Sequence, residues 1–84
     1  MSELSNPEAY RIFLHLLRDA RESAGVTQEQ LANRLKETQS FVSKCERGER
    51  RLDVVDLLLF CAALNIDPLH FVEAVSKAIQ GAPE

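Results

Sequence analysis

Tryptophan is absent from this sequence, tyrosine occurs once, and there are only three glycines, three prolines, two cysteines and two histidines. Each shortage excludes something. Three scattered glycines cannot build a glycine-rich phosphate loop. Cys45 and Cys61 form no CxxC pair and have no paired histidines beside them, so no metal site is expected; they read as buried thiols acting as small apolar residues. His15 and His70 stand alone, with no serine or cysteine and orienting acid to make a catalytic triad. No apolar run approaches the ~18 residues that a membrane span needs. The opening stretch, Met1 to Pro7, lacks the basic-then-apolar pattern of a signal peptide. These absences predict a non-enzymatic cytoplasmic protein with no cofactor, no metal, no small-molecule ligand and no membrane partner.

What remains is apolar enough to fold. Hydrophobic residues make up 45% of 84 positions, which suits one domain over residues 1–84 with a core over about 8–79. The net charge of −3 argues, on its face, against an anionic partner. Its distribution argues the other way. Residues 34–51 hold Arg34, Lys36, Lys44, Arg47, Arg50 and Arg51 against Glu37, Glu46 and Glu49, a local charge of +3, while the segments on either side are acidic. A nearby phosphate responds to local charge, because salt screens the rest beyond ~8 Å.

The pattern reads as five helices and no strand, an all-α fold. The first opens at Asn6-Pro7, a cap followed by a residue suited to the first helical turn. Tyr10, Phe13, Leu14, Leu17 and Ala24 recur on one stripe, Ile12, Leu16 and Ala20 form a second row, and Gly25 supplies a stop. The second opens with the capping pair Thr27 and Gln30 and turns Leu31, Ala32 and Leu35 inward. The third runs from the Thr38 cap to Gly48 with Val42 and Cys45 inside. The fourth opens at Asp53 with Asp56 in its first turn and buries Leu57, Phe60, Cys61 and Leu64, while Leu58 and Leu59 leave it little polar surface. The fifth opens at Asp67-Pro68, carries Leu69, Phe71, Val72, Val75 and Ile79, and ends at Gly81-Ala82-Pro83.

Only Lys36 and Glu37 separate the second helix from the Thr38 cap of the third, too short a link for an antiparallel hairpin. The third helix must cross steeply and project. Its outer positions are Gln39, Ser40, Ser43, Lys44 and Arg47. Amides, hydroxyls and cations without acids are the groups that read base edges in a major groove, and an ordinary solvated face would mix in Glu and Asp.

Several elements in order resemble the lambda-repressor/Cro-like family, also called the XRE family of helix-turn-helix regulators. They are Leu17-Arg18-Asp19-Ala20-Arg21, Gly25-Val26-Thr27-Gln28-Glu29-Gln30-Leu31-Ala32, Gln39-Ser40-Phe41-Val42-Ser43-Lys44 and Glu46-Arg47-Gly48, with Ala62 to Leu64 and Asp67-Pro68 resembling the closing helices. The resemblance implies a five-helix DNA-binding domain whose second and third helices form the motif, with double-stranded DNA as partner. It implies that Gln39, Ser40, Ser43 and Lys44 face bases. It implies that Thr27 and Gln28 at a helix start, and Arg47, Arg50 and Arg51 beyond the third helix, meet phosphates. It also implies a structural ion pair between Arg21 and Glu46. One departure stands out: Lys36-Glu37 occupy the link where the family often has a glycine and an apolar residue, so a helical extension of the second helix is the expected route through the turn.

One such domain makes few base contacts, so a homodimer on paired half-sites is expected, with Phe71, Val72, Val75 and Ile79 contributing the contact together with the end of the fourth helix. The competing reading is a helical protein–protein interaction module that keeps the fold without binding DNA. The net negative charge and the surplus apolar residues motivate it, and the cluster from Arg34 to Arg51 opposes it.

Overall fold

Each helix starts where a side-chain oxygen is available to take the first free backbone N–H groups. In the computed structural model, which describes residues 6–81, five helices form: α1 (Pro7–Ser23), α2 (Gln28–Leu35), α3 (Gln39–Glu46), α4 (Val54–Leu64) and α5 (Pro68–Gly81). No strand occurs among the described residues. The Asn6 side chain accepts from the N–H groups of Glu8 and Ala9. Thr27 and Gln30 form a reciprocal capping box at 3.1 and 2.9 Å, as do Asp53 and Asp56 at 2.8 and 3.1 Å. Thr38 accepts from Phe41 N–H, and Asp67 from Leu69 N–H. α5 continues through Gly81, and the expected stop at Ala82-Pro83 lies outside the described residues.

The first four helices end in one recurring way. A residue with left-handed backbone follows the last turn, and the next N–H reaches back five residues: Val26 to Arg21, Glu37 to Ala32, Glu49 to Lys44 and Ile66 to Cys61. This Schellman arrangement satisfies carbonyls that the helix leaves free. Gly25 and Gly48 adopt the required positive φ at no steric cost. At Gly48 an added Cβ would also lie 3.2 Å from Leu14. Asn65 and Lys36 take the same conformation, at φ 58° and 59°.

Lys36 corrects the expected extension of α2. The helix stops at Leu35, and Lys36 itself turns left-handed, with its N–H on the Asn33 carbonyl at 3.2 Å. The bonds that close the helix outweigh the cost of a left-handed L-residue, about 1–2 kcal/mol. The glycine of the usual link is thus replaced without changing the form of the turn.

α2 packs on α3 and α4, α1 on α3 and α5, and α4 on α5. Leu17, Leu31, Val42, Cys45 and Cys61 are the largest fully buried side chains. Burial pushes both thiols above their ordinary range, so neither is a ready nucleophile. Two apolar assignments differ from the sequence reading. Ala24 is exposed, because α1 ends before it and its backbone caps the helix. On α5 only Phe71 is buried, with Val75 at the core's edge, whereas Leu69 is 80% exposed. The surplus apolar residues of α4 and α5 therefore face outward.

The left-handed turn is testable. Lys36→Gly relieves the Cβ strain of about 1–2 kcal/mol and adds about 0.5–1 kcal/mol of unfolded-state entropy, so urea unfolding should show a small net gain, below about 1 kcal/mol. Lys36→Val should lose more than about 1 kcal/mol, since a branched Cβ fits this conformation worst. Equal effects from the two would show that the backbone at this position does not limit stability.

Candidate nucleic-acid interface

Beneath the surface formed by α2, α3 and the loop after α3 lies one buried polar network. Arg21, near the end of α1, donates from Nε to Glu46 Oε2 at 2.6 Å and from a terminal nitrogen to Oε1 at 3.1 Å. Its other terminal nitrogen donates to the Val26 carbonyl at 2.8 Å. Gln28 Nε2 donates to Glu46 Oε1 at 2.9 Å. The two charged side chains are only 8% and 4% exposed. The hydrogen bond that Arg21 donates to Glu46 raises the Arg21 pKa above its ordinary value, against the opposing effect of burial. No buried side-chain polar atom lacks a partner among the described residues. Four chain segments meet at this point: the last turn of α1, the link at Val26, the first turn of α2 and the last turn of α3.

Gln28 thus occupies the α2 start in a fixed, half-buried position, and the Thr27 hydroxyl beside it is held by Gln30 N–H. On α3, Gln39, Ser40 and Lys44 are exposed, while Val42 and Cys45 are buried on the opposite side. Ser43 is half-buried and its hydroxyl accepts from Arg47. Arg47 also donates to Glu49 at 2.6 Å; the pair lowers the Glu49 pKa and raises that of Arg47. Glu49, which the charge pattern sets among cations, is therefore matched by a neighbour, and Arg47 is less free than its position suggests.

The remaining cations divide cleanly. Arg34 donates to the Ala63 carbonyl at 2.9 Å and so ties α2 to the last turn of α4. Lys36, Lys44, Arg50 and Arg51 have no acidic partner among the described residues. The Arg50 guanidinium lies over the Phe41 ring, 4.9 Å from its centroid, and that of Arg51 over the Tyr10 ring at 4.1 Å. Tyr10 Oη accepts Leu52 N–H at 3.0 Å. Sequence reasoning placed Tyr10 on the inward stripe of α1 and missed these contacts. A lone aromatic at helical spacing gives no sign that a cation 41 positions later will stack on it.

The four residues expected at a subunit contact divide as well. Phe71 packs in the core of its own chain, edge-on to Phe13 at 6.2 Å between centroids, and Val75 lies at the core's edge. Val72 and Ile79 are exposed. No His, Cys, Asp and Glu cluster able to hold a metal ion occurs among the described residues. No single described helix is long and apolar enough to cross a membrane.

A short helix projecting its polar face beside unpaired cations, on a five-helix frame, defines an XRE-like helix-turn-helix regulator. The family model described as a helix-turn-helix domain matches residues 12–73, and the chain belongs to that family. Solved structures agree. An XRE-family like protein from Pseudomonas syringae pv. tomato str. DC3000 is 44% identical with a TM-score of 0.80, over 84% of this chain and 87% of that one. The restriction-modification controller protein C.AhdI from Aeromonas hydrophila is 35% identical with a TM-score of 0.64, over 71% and 91%. The wild-type restriction-modification controller protein C.Esp1396I is 25% identical with a TM-score of 0.81, over 92% and 100%. Among curated proteins no sequence match was found. The protein is a DNA-binding transcriptional regulator and not an enzyme.

The buried pair gives a direct stability test. Glu46→Ala leaves the Arg21 guanidinium buried without its counter-ion, a change that costs about 3–5 kcal/mol. Thermal unfolding should fall by more than about 10 °C at this chain length. A loss under about 1 kcal/mol would place the pair with solvent-exposed ion pairs instead.

Proposed function

We propose that the protein binds a specific duplex DNA sequence as a homodimer, with α3 in the major groove, and represses transcription from the site it occupies. The observation that carries this is the acid-free outer face of α3, where Gln39, Ser40 and Lys44 are solvent-exposed, with three further unpaired cations, Lys36, Arg50 and Arg51, on the flanking segments. Gln suits adenine, and Lys suits guanine. Ser40 and Ser43 are small enough to let the backbone approach. Around this face Gln28 and the free N–H groups at the α2 start suit one phosphate, with Thr27 holding that turn in shape. Arg50 and Arg51 suit phosphates on the other side, and Arg47 joins them by giving up Glu49. Relatives named as restriction-modification controllers support a role in transcriptional control. Occupancy alone excludes polymerase from the bound stretch, which is why repression is the favoured direction.

Every exposed large hydrophobic residue among those described lies on α4 or α5: Val54, Val55, Leu58, Leu59, Leu69, Val72 and Ile79. None lies on the α3 face. This supports a subunit contact made by Val72 and Ile79 with the outer face of α4, supported from within by Phe71 and Val75. The interaction-module reading would account for the same apolar residues. It gives no reason for a local charge of +3 in a chain of net charge −3.

Alanine substitutions test the interface. Gln39→Ala and Lys44→Ala should each relax base preference at defined operator positions by about 1–3 kcal/mol in a binding series on a selected sequence. Arg50→Ala should weaken all sequences alike and lower the slope of log affinity against log salt by about 1. Unchanged sequence preference in both α3 variants would remove α3 from base reading. For the subunit contact, light scattering at tens of micromolar should give twice the 9.5 kDa chain mass, and Val72→Glu should return it to one. A native monomer at that concentration would overturn the dimer.

A further inference from the structure

We infer that Tyr10 is a positioning residue for DNA-backbone binding, acting through Arg51. This rests on the DNA-binding reading and deepens it, since it assigns part of phosphate recognition to the first turn of α1, a segment outside the helix-turn-helix. Two separate contacts of one side chain carry it. The Tyr10 ring lies beneath the Arg51 guanidinium at 4.1 Å, and the Tyr10 hydroxyl accepts the backbone N–H of Leu52, the next residue, at 3.0 Å. One contact orders the arginine head and the other pins the loop that carries it. The ring is itself fixed, 5.4 Å from Phe13, which in turn meets Phe71 of the core.

Stacking uses the face of a guanidinium and leaves the in-plane N–H groups at its edge open. Arg51 has no acidic partner among the described residues, and none of the hydrogen bonds found among them uses its side chain. A free arginine gives up rotamer freedom when it grips an anion. One already stacked gives up less, so it contributes a phosphate contact at lower entropic cost. Arg50 over Phe41 repeats the device on the other side of the loop, and its own Nη1 is held by the Arg51 carbonyl at 3.1 Å. The loop after α3 thus presents two cations whose heads are set before DNA arrives.

The test measures duplex affinity over a salt series for the native chain, Tyr10→Leu, Tyr10→Phe, Arg51→Ala and the double variant Tyr10→Leu/Arg51→Ala. Arg51→Ala should lower the slope of log affinity against log salt by about 0.9, the value for one lost phosphate contact. Tyr10→Leu should weaken duplex binding without removing the Arg51 charge, and the double variant should bind no more weakly than Arg51→Ala alone. Tyr10→Phe keeps the ring but loses the hydrogen bond that pins the loop, so its affinity should fall between those of the native chain and Tyr10→Leu. Base preference should be the same in all five. Native affinity in Tyr10→Leu, or additive losses in the double variant, would overturn the positioning role while leaving the DNA-binding reading intact. Failure of the native chain to bind duplex at low salt would overturn both. A measurement on the native chain needs no variant. Ring-current shifts of the Arg51 side-chain protons should persist in the complex while its Nε–H signal moves on adding duplex. Loss of the ring-current shift on binding would show that the stack is broken in the complex, and would overturn the proposal.

Discussion

The Arg21–Glu46 pair sets how α2 and α3 meet at the candidate DNA surface. α2 and α3 have eight residues each. Helices this short are marginal alone, and their orientation must come from tertiary contacts. Apolar packing of Val42 and Cys45 holds α3 down but tolerates some rotation about its axis. A bidentate guanidinium–carboxylate contact does not, because both oxygens must stay in one plane with the fork. Residues of similar volume in an apolar cluster would give at least as much stability. What the ionic version adds is register: it fixes which residues of α3 face out. It also neutralises an acid that would otherwise sit beneath the candidate DNA surface, and uses that acid to orient Gln28.

The same economy governs charge across the molecule. An acidic protein meets DNA only if its acids are distant, paired or both. Glu46 is buried against Arg21, and Glu49 is matched by Arg47. Asp53 and Asp56 are engaged in capping α4. The unpaired cations meanwhile belong to a short stretch that projects. Beyond a Debye length of ~8 Å the net charge of −3 is screened, so local arrangement and not total charge decides association.

Much of this frame was legible before any coordinates. Caps at Asn6, Thr27, Thr38, Asp53 and Asp67, and stops at Gly25 and Gly48, are local chemistry, and local chemistry is written in adjacent residues. So were the inner faces of α2, α3 and α4, because their periodicity is unambiguous. Lys36 was not, since a left-handed lysine leaves no sign of itself in sequence. Nor was the division of α5 into a buried Phe71 and exposed Val72 and Ile79, because five apolar positions on a helix do not say which of them a small core will accept. Arg34 on Ala63 and Tyr10 on Leu52 span 29 and 42 residues and exist only once the helices are packed. At the candidate site the pattern named the polar residues of α3, but not that Arg47, Gln28 and Ser43 are already engaged in the free protein.

These internal engagements bear on how binding and assembly relate. A contiguous aromatic path runs from Phe71 on α5 through Phe13 to Tyr10 and so to the loop after α3. Contiguity is not coupling. Transmission needs an element with two arrangements that both sites bias. Here α3 is held by a bidentate ion pair, the loop after it by Leu52 N–H on the Tyr10 hydroxyl and by two cations over aromatic rings, and the α4–α5 face by a core with no unsatisfied buried polar side chain among the described residues. A second subunit joining at α4 and α5, as proposed, would meet a frame already held by these contacts. In the proposed dimer its effect on affinity would come from placing a second α3 at a fixed spacing, which would turn the second half-site contact into an intramolecular event at high effective concentration.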